Sequence, residues 1–248
     1  MNKSMKAGAL LVAGVFALSG CGSSDDSASS ADAAPDSSAS APAESASPTP
    51  TPTPVVGEKQ YSPDELEAAL VAVKADQGLQ GEVANQESLR PLLEEAPDAL
   101  AGVTITPEKC DVLATTDIAG VLENANMAML MLSATDFLSV ASHPDESVMT
   151  KQFADNSLLM EDCAEFQMET AGQIVTATTE PVDAETDGEQ TQAFRSEITV
   201  DGEVTESTQI SVVSGTTNIQ ITLDGSDAAA ALPEAEKLIN AVLAELEK

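Results

Sequence analysis

From Phe194 to Leu223 apolar and polar side chains alternate, and two glycine-containing turns interrupt the alternation. Phe194, Ser196, Ile198 and Val200 stand against Arg195, Glu197 and Thr199. Val204, Thr208, Ile210 and Val212 continue after Asp201-Gly202, and Ile219, Ile221 and Leu223 follow Ser214-Gly215. A period of two is the signature of a strand, and Asp-Gly between two such runs is a tight hairpin signal. The chain must therefore build an antiparallel meander here. Gly172 to Thr179 adds a strand without a clear face, which makes four.

Helices frame this sheet. Ser62-Pro63-Asp64-Glu65 is an S-x-x-E capping box with proline at the first helical position. Leu66, Leu70 and Val73 then follow at helical spacing. A short helix is expected over Glu87 to Glu95, and Gly102 to Thr106 reads as a strand. The Met- and Leu-rich run from Asn126 to Val140 fits helix or buried strand, with strand favoured at Ala128 to Ser133 and at Phe137 to Ala141. Met149, Phe153, Asn156, Met160 and Cys163 share one helical face. A last helix carries Leu238, Ile239, Val242, Leu243 and Leu246. The expected class is α+β: N-terminal helices, a meander sheet packed by helices including a C-terminal one, and one disulfide.

Residues before about Glu58 belong to other units. Lys3 and Lys6 precede the apolar run Ala7 to Leu18, which is too short to span a bilayer as a helix. It ends in Leu18-Ser19-Gly20-Cys21, which resembles the lipobox of bacterial lipoproteins. That resemblance implies cleavage of residues 1–20 and a diacylglyceryl group on Cys21, an anchor strong enough for lasting attachment to the membrane. An ordinary secretory signal with an incidental cysteine is the rival reading. Residues 21–57 then form a tether of Ser, Ala, Asp, Pro and Thr with almost no large apolar side chain, which cannot offset the entropy of ordering. Its end, Pro48 to Pro54, favours polyproline II and spans roughly 20 Å. O-glycosylation or a proline-reading partner are alternatives to a plain spacer. The domain is 58–248.

Outside the membrane disulfides persist, and with Cys21 committed to lipid, Cys110 and Cys163 are expected to pair. The bridge would close about 54 residues and contribute roughly 4 kcal/mol in the chain-entropy model. Two free thiols in a redox role are the rival, without a C-x-x-C to support them.

This layout resembles the actinobacterial envelope lipoproteins related to the extracellular sensor domain of PknH-type membrane kinases. The shared parts are Cys21, the tether, Ser62 to Glu65, Cys110, Cys163 on a helix, the strands from Gly172 to Leu223 and the final helix. The resemblance implies a module that senses or binds a ligand in a cleft, and it supplies no catalytic residue.

Charge and composition exclude several classes. The formal charge is -32, and phosphate binding needs a basic face, so nucleic acid is not an expected partner. The one His and three Cys leave little for zinc sites or triads, so no cofactor, metal or catalytic residue is expected. His143, in Ser142-His143-Pro144, reads as a surface turn residue. Asp183 to Glu189 looks like the start of a calcium loop, but Phe194 stands where the bidentate Glu should be, so a solvated acidic loop is the better reading. Two classes stay open for a monomer on the outer face of the membrane. One is a non-enzymatic sensor or binding module for a small-molecule or cell-wall ligand. The other is a carrier of lipid or another hydrophobic molecule, with Met127 to Leu132 lining an apolar cavity; plain core is the competing reading of that run.

Overall fold

The structure, a computed structural model, describes residues 55–91, 94, 102–115, 124–170, 172–225 and 228–248. Cys21, the signal segment and nearly all of the tether lie outside the described residues, as does the end of the expected helix near Glu95.

Among the described residues four helices, α1 (Pro63–Asp76), α2 (Val112–Thr115), α3 (Glu146–Asp162) and α4 (Ala228–Leu246), accompany nine strands. The strands are β1 (Glu82–Asn85), β2 (Thr104–Thr106), β3 (Asn126–Met131), β4 (Phe137–Ser142), β5 (Glu165–Thr170), β6 (Gln173–Pro181), β7 (Gln190–Val200), β8 (Glu203–Ser214) and β9 (Thr217–Asp224). A helical segment over 86–91 and a 3₁₀ turn at Glu108–Cys110 are also present. The α+β class stands. The sheet is wider than a four-strand meander: all nine strands join one antiparallel sheet in the order β1-β3-β4-β9-β8-β7-β6-β5-β2. The two segments that were ambiguous between helix and strand are β3 and β4, and β4 pairs with β9. This pairing could not be read locally, because the partners are some eighty residues apart in the chain.

The hairpins form as their turns dictate. Asp201 and Gly202 sit at φ +53° and +84°, the two left-handed positions of a type I′ turn. β7 and β8 then run in unbroken register from Gln190↔Val213 to Val200↔Glu203. At the start of α1 the capping box is made: Glu65 N–H donates to Ser62 Oγ at 3.3 Å, and Ser62 N–H to Glu65 Oε2 at 2.8 Å. Lys59 also donates to Glu65, and the two partners hold that carboxyl down at about 2.

Helices cover both faces of the sheet. On one face α1 and α4 bury Leu66, Leu70, Leu238, Ile239 and Val242 against Leu130, Val140, Ile210, Val212, Ile219 and Ile221. Val56 belongs to this core, so the packed chain begins before Glu58. On the opposite face two smaller cores lie apart. One gathers Ile105, Cys110, Met160, Cys163, Phe166, Val175 and Ile198; the other gathers Ala84, Leu89, Ala125 and Met127. The strand read as faceless, β6, does have a face: Val175, Ala177 and Thr179 are buried on it, while apolar Ile174 points away and is 55% exposed. β5 is an addition, because Glu165 to Thr170 offers only three alternations (Phe166 and Met168 inward) right behind a helix.

Candidate functional site

α3 lies over the stretch of sheet between the two smaller cores. Its N-terminus is capped by Asp145, whose carboxylate accepts from Ser147 N–H at 2.8 Å. Its C-terminus ends at Cys163, bonded to Cys110 with 5.8 Å between the Cα atoms. Within the helix only Met149 and Met160 are buried. A helix fastened at its ends and lightly packed along its middle leaves a seam against the sheet.

Strand pairing defines what the sheet presents there. On this face Gln220 of β9 lies between Ser139 of β4 and Ser211 of β8, and Ser211 pairs with Gln192 of β7. One step along, Thr222 lies between Phe137 and Gln209, and Gln209 pairs with Phe194. One step further, Ser207 pairs with Ser196, and Ser196 with Thr179, whose hydroxyl lies 3.1 Å from that of Ser196. The middle of this sheet face is thus a band of uncharged polar side chains flanked by apolar cores.

The seam opens unevenly. Toward the C-terminal half of α3 it forms a groove of about 600 Å³ lined by Ser157, Met160, Glu161, Ala164, Pro181, Val182 and Thr191 to Phe194. Beneath the middle of α3 it narrows to a gap of about 10 Å³ among Met149, Gln152, Phe153, Asn156, Ser211, Val213 and Asn218. That is room for one water. Gln192 stands between the two and holds them apart: its Nε2 donates to the Phe153 carbonyl at 3.0 Å and to the Ser157 hydroxyl.

Polar atoms on α3 and on this sheet face are buried without a partner: Oδ1 of Asn156 beside the gap, Oε1 of Gln192 at the groove, and Nε2 of Gln220 and Oγ1 of Thr222, which line neither opening but lie on the same face of β9 as Asn218. Buried polar groups are nearly always satisfied, and although Gln86, Arg195, Thr208 and Thr217 carry such atoms elsewhere, these four are grouped around one sheet face and the helix over it. Asp224 borders the band; burial pushes its carboxyl up, partly countered by a hydrogen bond from Thr135.

The residues singled out in the sequence fall elsewhere. Cys110 and Cys163 are joined, and they fix one end of the seam without lining the groove. His143 is a correction: it is 3% exposed, not a surface turn residue. Its N–H donates to Thr216 O at 2.8 Å, which pulls the β4–α3 turn onto the β8–β9 turn, and burial holds its imidazole below the usual range. Asp183, Glu185, Asp187 and Glu189 are exposed, and Glu189 accepts from Gly215 N–H. Val182 and Ala184, alternating with them, pack on the main core. Among the described residues no group of three or more His, Cys, Asp or Glu is placed to hold a metal. Of the run Met127 to Leu132, Ala128 and Leu130 enter the main core and Met127 the small one, the plain-core reading of these residues.

Gln192, Gln220 and Thr222 were missed because alternation assigns them to the outer face of their strands. One signal was present. The positions Thr205, Ser207, Gln209, Ser211, Asn218, Gln220 and Thr222 carry no charge, in a chain that is 21% charged. A solvated face in so acidic a protein would carry carboxylates.

No family model matches this sequence, and no curated protein matches it. Among solved structures, the fold is that of the extracellular domain of PknH from Mycobacterium tuberculosis. That structure aligns with a TM-score of 0.50 at 11% identity over 77% of this chain and 98% of the other. A putative uncharacterized protein from Mycobacterium smegmatis aligns at 13% identity over 59% of this chain and 77% of its own, with a TM-score of 0.38, too low to bear on the assignment. Among the described residues no helix is long and apolar enough to cross a membrane.

Proposed function

We propose that the protein is an envelope lipoprotein, held on the outer face of the cytoplasmic membrane through lipid on Cys21. Its domain acts as a non-enzymatic ligand-binding or sensing module, with the ligand in the seam between α3 and the sheet. The observation that carries this reading is the groove of about 600 Å³ at whose inner end Gln192 keeps a buried carbonyl oxygen unpartnered. Ligand sites are concave, largely apolar and furnished with a few placed polar groups, and this volume is in their usual range. The shared fold with an extracellular domain supports an extracytoplasmic setting.

A test is native mass spectrometry of the protein purified from its own host, beside Ser157→Trp. Ser157 is exposed at the groove wall, so the indole would fill the groove without entering a core. A small molecule bound to the wild type and lost from the variant supports the reading. An empty wild-type protein, or a ligand retained by the variant, sinks it. The carrier reading draws on the apolar part of the lining, Met160, Pro181, Val182 and Phe194. Acyl lipid in a solvent extract of the same preparation, other than that on Cys21, would favour it.

A further inference from the structure

The chemistry of the seam points to a class of ligand, an inference that rests on the reading just given. Ser139, Gln220, Ser211 and Gln192 stand side by side across four strands, with Thr222 two residues from Gln220 on the same face. Three of these five keep an unpartnered atom: an amide donor on Gln220, an amide acceptor on Gln192, and the hydroxyl of Thr222, which can act either way. Gln220 and Thr222 are only 3% and 1% exposed. A buried group without a partner is destabilising, and a bound molecule that supplied the missing hydrogen bonds would remove that penalty. With strands about 4.8 Å apart and alternate residues about 6.8 Å apart, the three groups span roughly 10 by 7 Å. That is the footprint of a single ring bearing several polar substituents.

Charge narrows the class. Neither Lys nor Arg lines the groove or the band, so a phosphate or carboxylate would find no counter-charge inside a protein of formal charge -32. The acids near it are exposed Glu161 at the groove and Asp224 at the margin, neither in the row of free groups. The aromatic residues narrow it further. The folded part has four phenylalanines, and three of them border the row. Phe137 and Phe194 are in register with Thr222 and Gln209, and Phe153 is on α3 above the gap. All three are half-buried, and only Phe166 is spent wholly on a core.

We propose that the seam takes a neutral, hydroxyl-rich ring, a sugar or cyclic polyol. Its hydroxyls engage Gln220, Thr222 and Gln192, and its C–H faces lie against the phenylalanines. The gap under α3 has room for one water, and Gln220 and Thr222 line neither it nor the groove, so seating the ring requires the middle of α3 to rise and uncover them. Gln192 then exchanges its bonds to Phe153 and Ser157 for bonds to the ligand.

The test uses the full chain in detergent, with maltose, N,N′-diacetylchitobiose and myo-inositol as probes and glucose 6-phosphate and oleate as contrasts. Saturation-transfer NMR and calorimetry read binding. At least one neutral probe should bind and raise Tm, and the contrasts should not. Gln220→Leu and Thr222→Val should weaken that binding at least tenfold while leaving the ligand-free Tm unchanged or raised by about 2–4 °C, because an unpartnered group has been removed. If both variants lower the ligand-free Tm, the polar atoms serve a structural water network and the inference fails. Binding undiminished in the variants also overturns it. Preference for oleate or the sugar phosphate, or a non-sugar species carried from the host, overturns the ligand class and leaves the binding-module reading intact. A host-purified protein that is empty and ignores every probe ends both.

Discussion

Gly57 and Gly215 meet backbone to backbone. Their φ angles are +82° and +51°; a Cβ on Gly57 would overlap the Ser214 carbonyl, and one on Gly215 the Gly57 carbonyl. The contact is closed by Thr216 N–H donating to Gly57 O at 2.9 Å and Thr216 Oγ1 to Lys59 O at 2.7 Å. It straps the segment before α1 onto the β8–β9 turn. Gly57→Ala and Gly215→Ala should each cost about 1–3 kcal/mol from backbone strain alone, before the steric overlap is counted. Calorimetry showing an unchanged Tm for either variant would mean the strap is not packed this way.

The Cys110–Cys163 bridge joins two buried residues 53 positions apart. Replacing both with Ser should lower stability by roughly 4 kcal/mol without abolishing the fold, since the main core of α1, α4 and the central strands does not include them. Because the bridge also fastens one end of α3, hydrogen exchange in α3 should rise more than in α1. Equal protection of the two helices in the variant would separate the bridge from the seam.

His143 gives a pH dependence whose sign follows from its burial. Its folded pKa lies below the ordinary value, so the unfolded chain binds its proton more readily. Stability should therefore be full above about pH 6.5 and should fall as the pH drops through that value toward the folded pKa. Urea midpoints of the wild type should decline across this window, and those of His143→Gln should decline less. Parallel curves would remove His143 from the account.

Cys21→Ala should release the protein from membranes into the medium or wash fraction, because the proposed lipid is its one expected anchor. A variant that still pellets with membranes after a salt wash would end the lipoprotein proposal.

Local chemistry made much of the fold legible. The S-x-x-E box places the start of α1, Asp201-Gly202 places the β7–β8 turn, and the stripe from Leu238 to Leu246 places the buried face of α4. Each of these signals lies within a few residues, where propensity, capping and periodicity act. The candidate site was far less legible. Gln192 and Gln220 look like ordinary outward positions on half-buried strands, and His143 looks like a turn residue. The bonds of Gln192 to Phe153 and Ser157 on α3, and of His143 to Thr216 beside the β8–β9 turn, are long-range contacts that no local pattern encodes.

Local pattern alone was enough for α1, α3, α4, the strands of the meander and their two turns, and with the extracytoplasmic setting it favoured joining Cys110 to Cys163; it left Asn126 to Val140 open and did not reveal β1 or β5. The pairing of β4 with β9 into one nine-stranded sheet, and the covering of both its faces, came from long-range packing. The physical reason is that alternation tells which residues share a face but not what will lie on it. Asn218, outward by alternation, ends beside Met149 and Phe153 because a helix tied down at Cys163 comes to rest there.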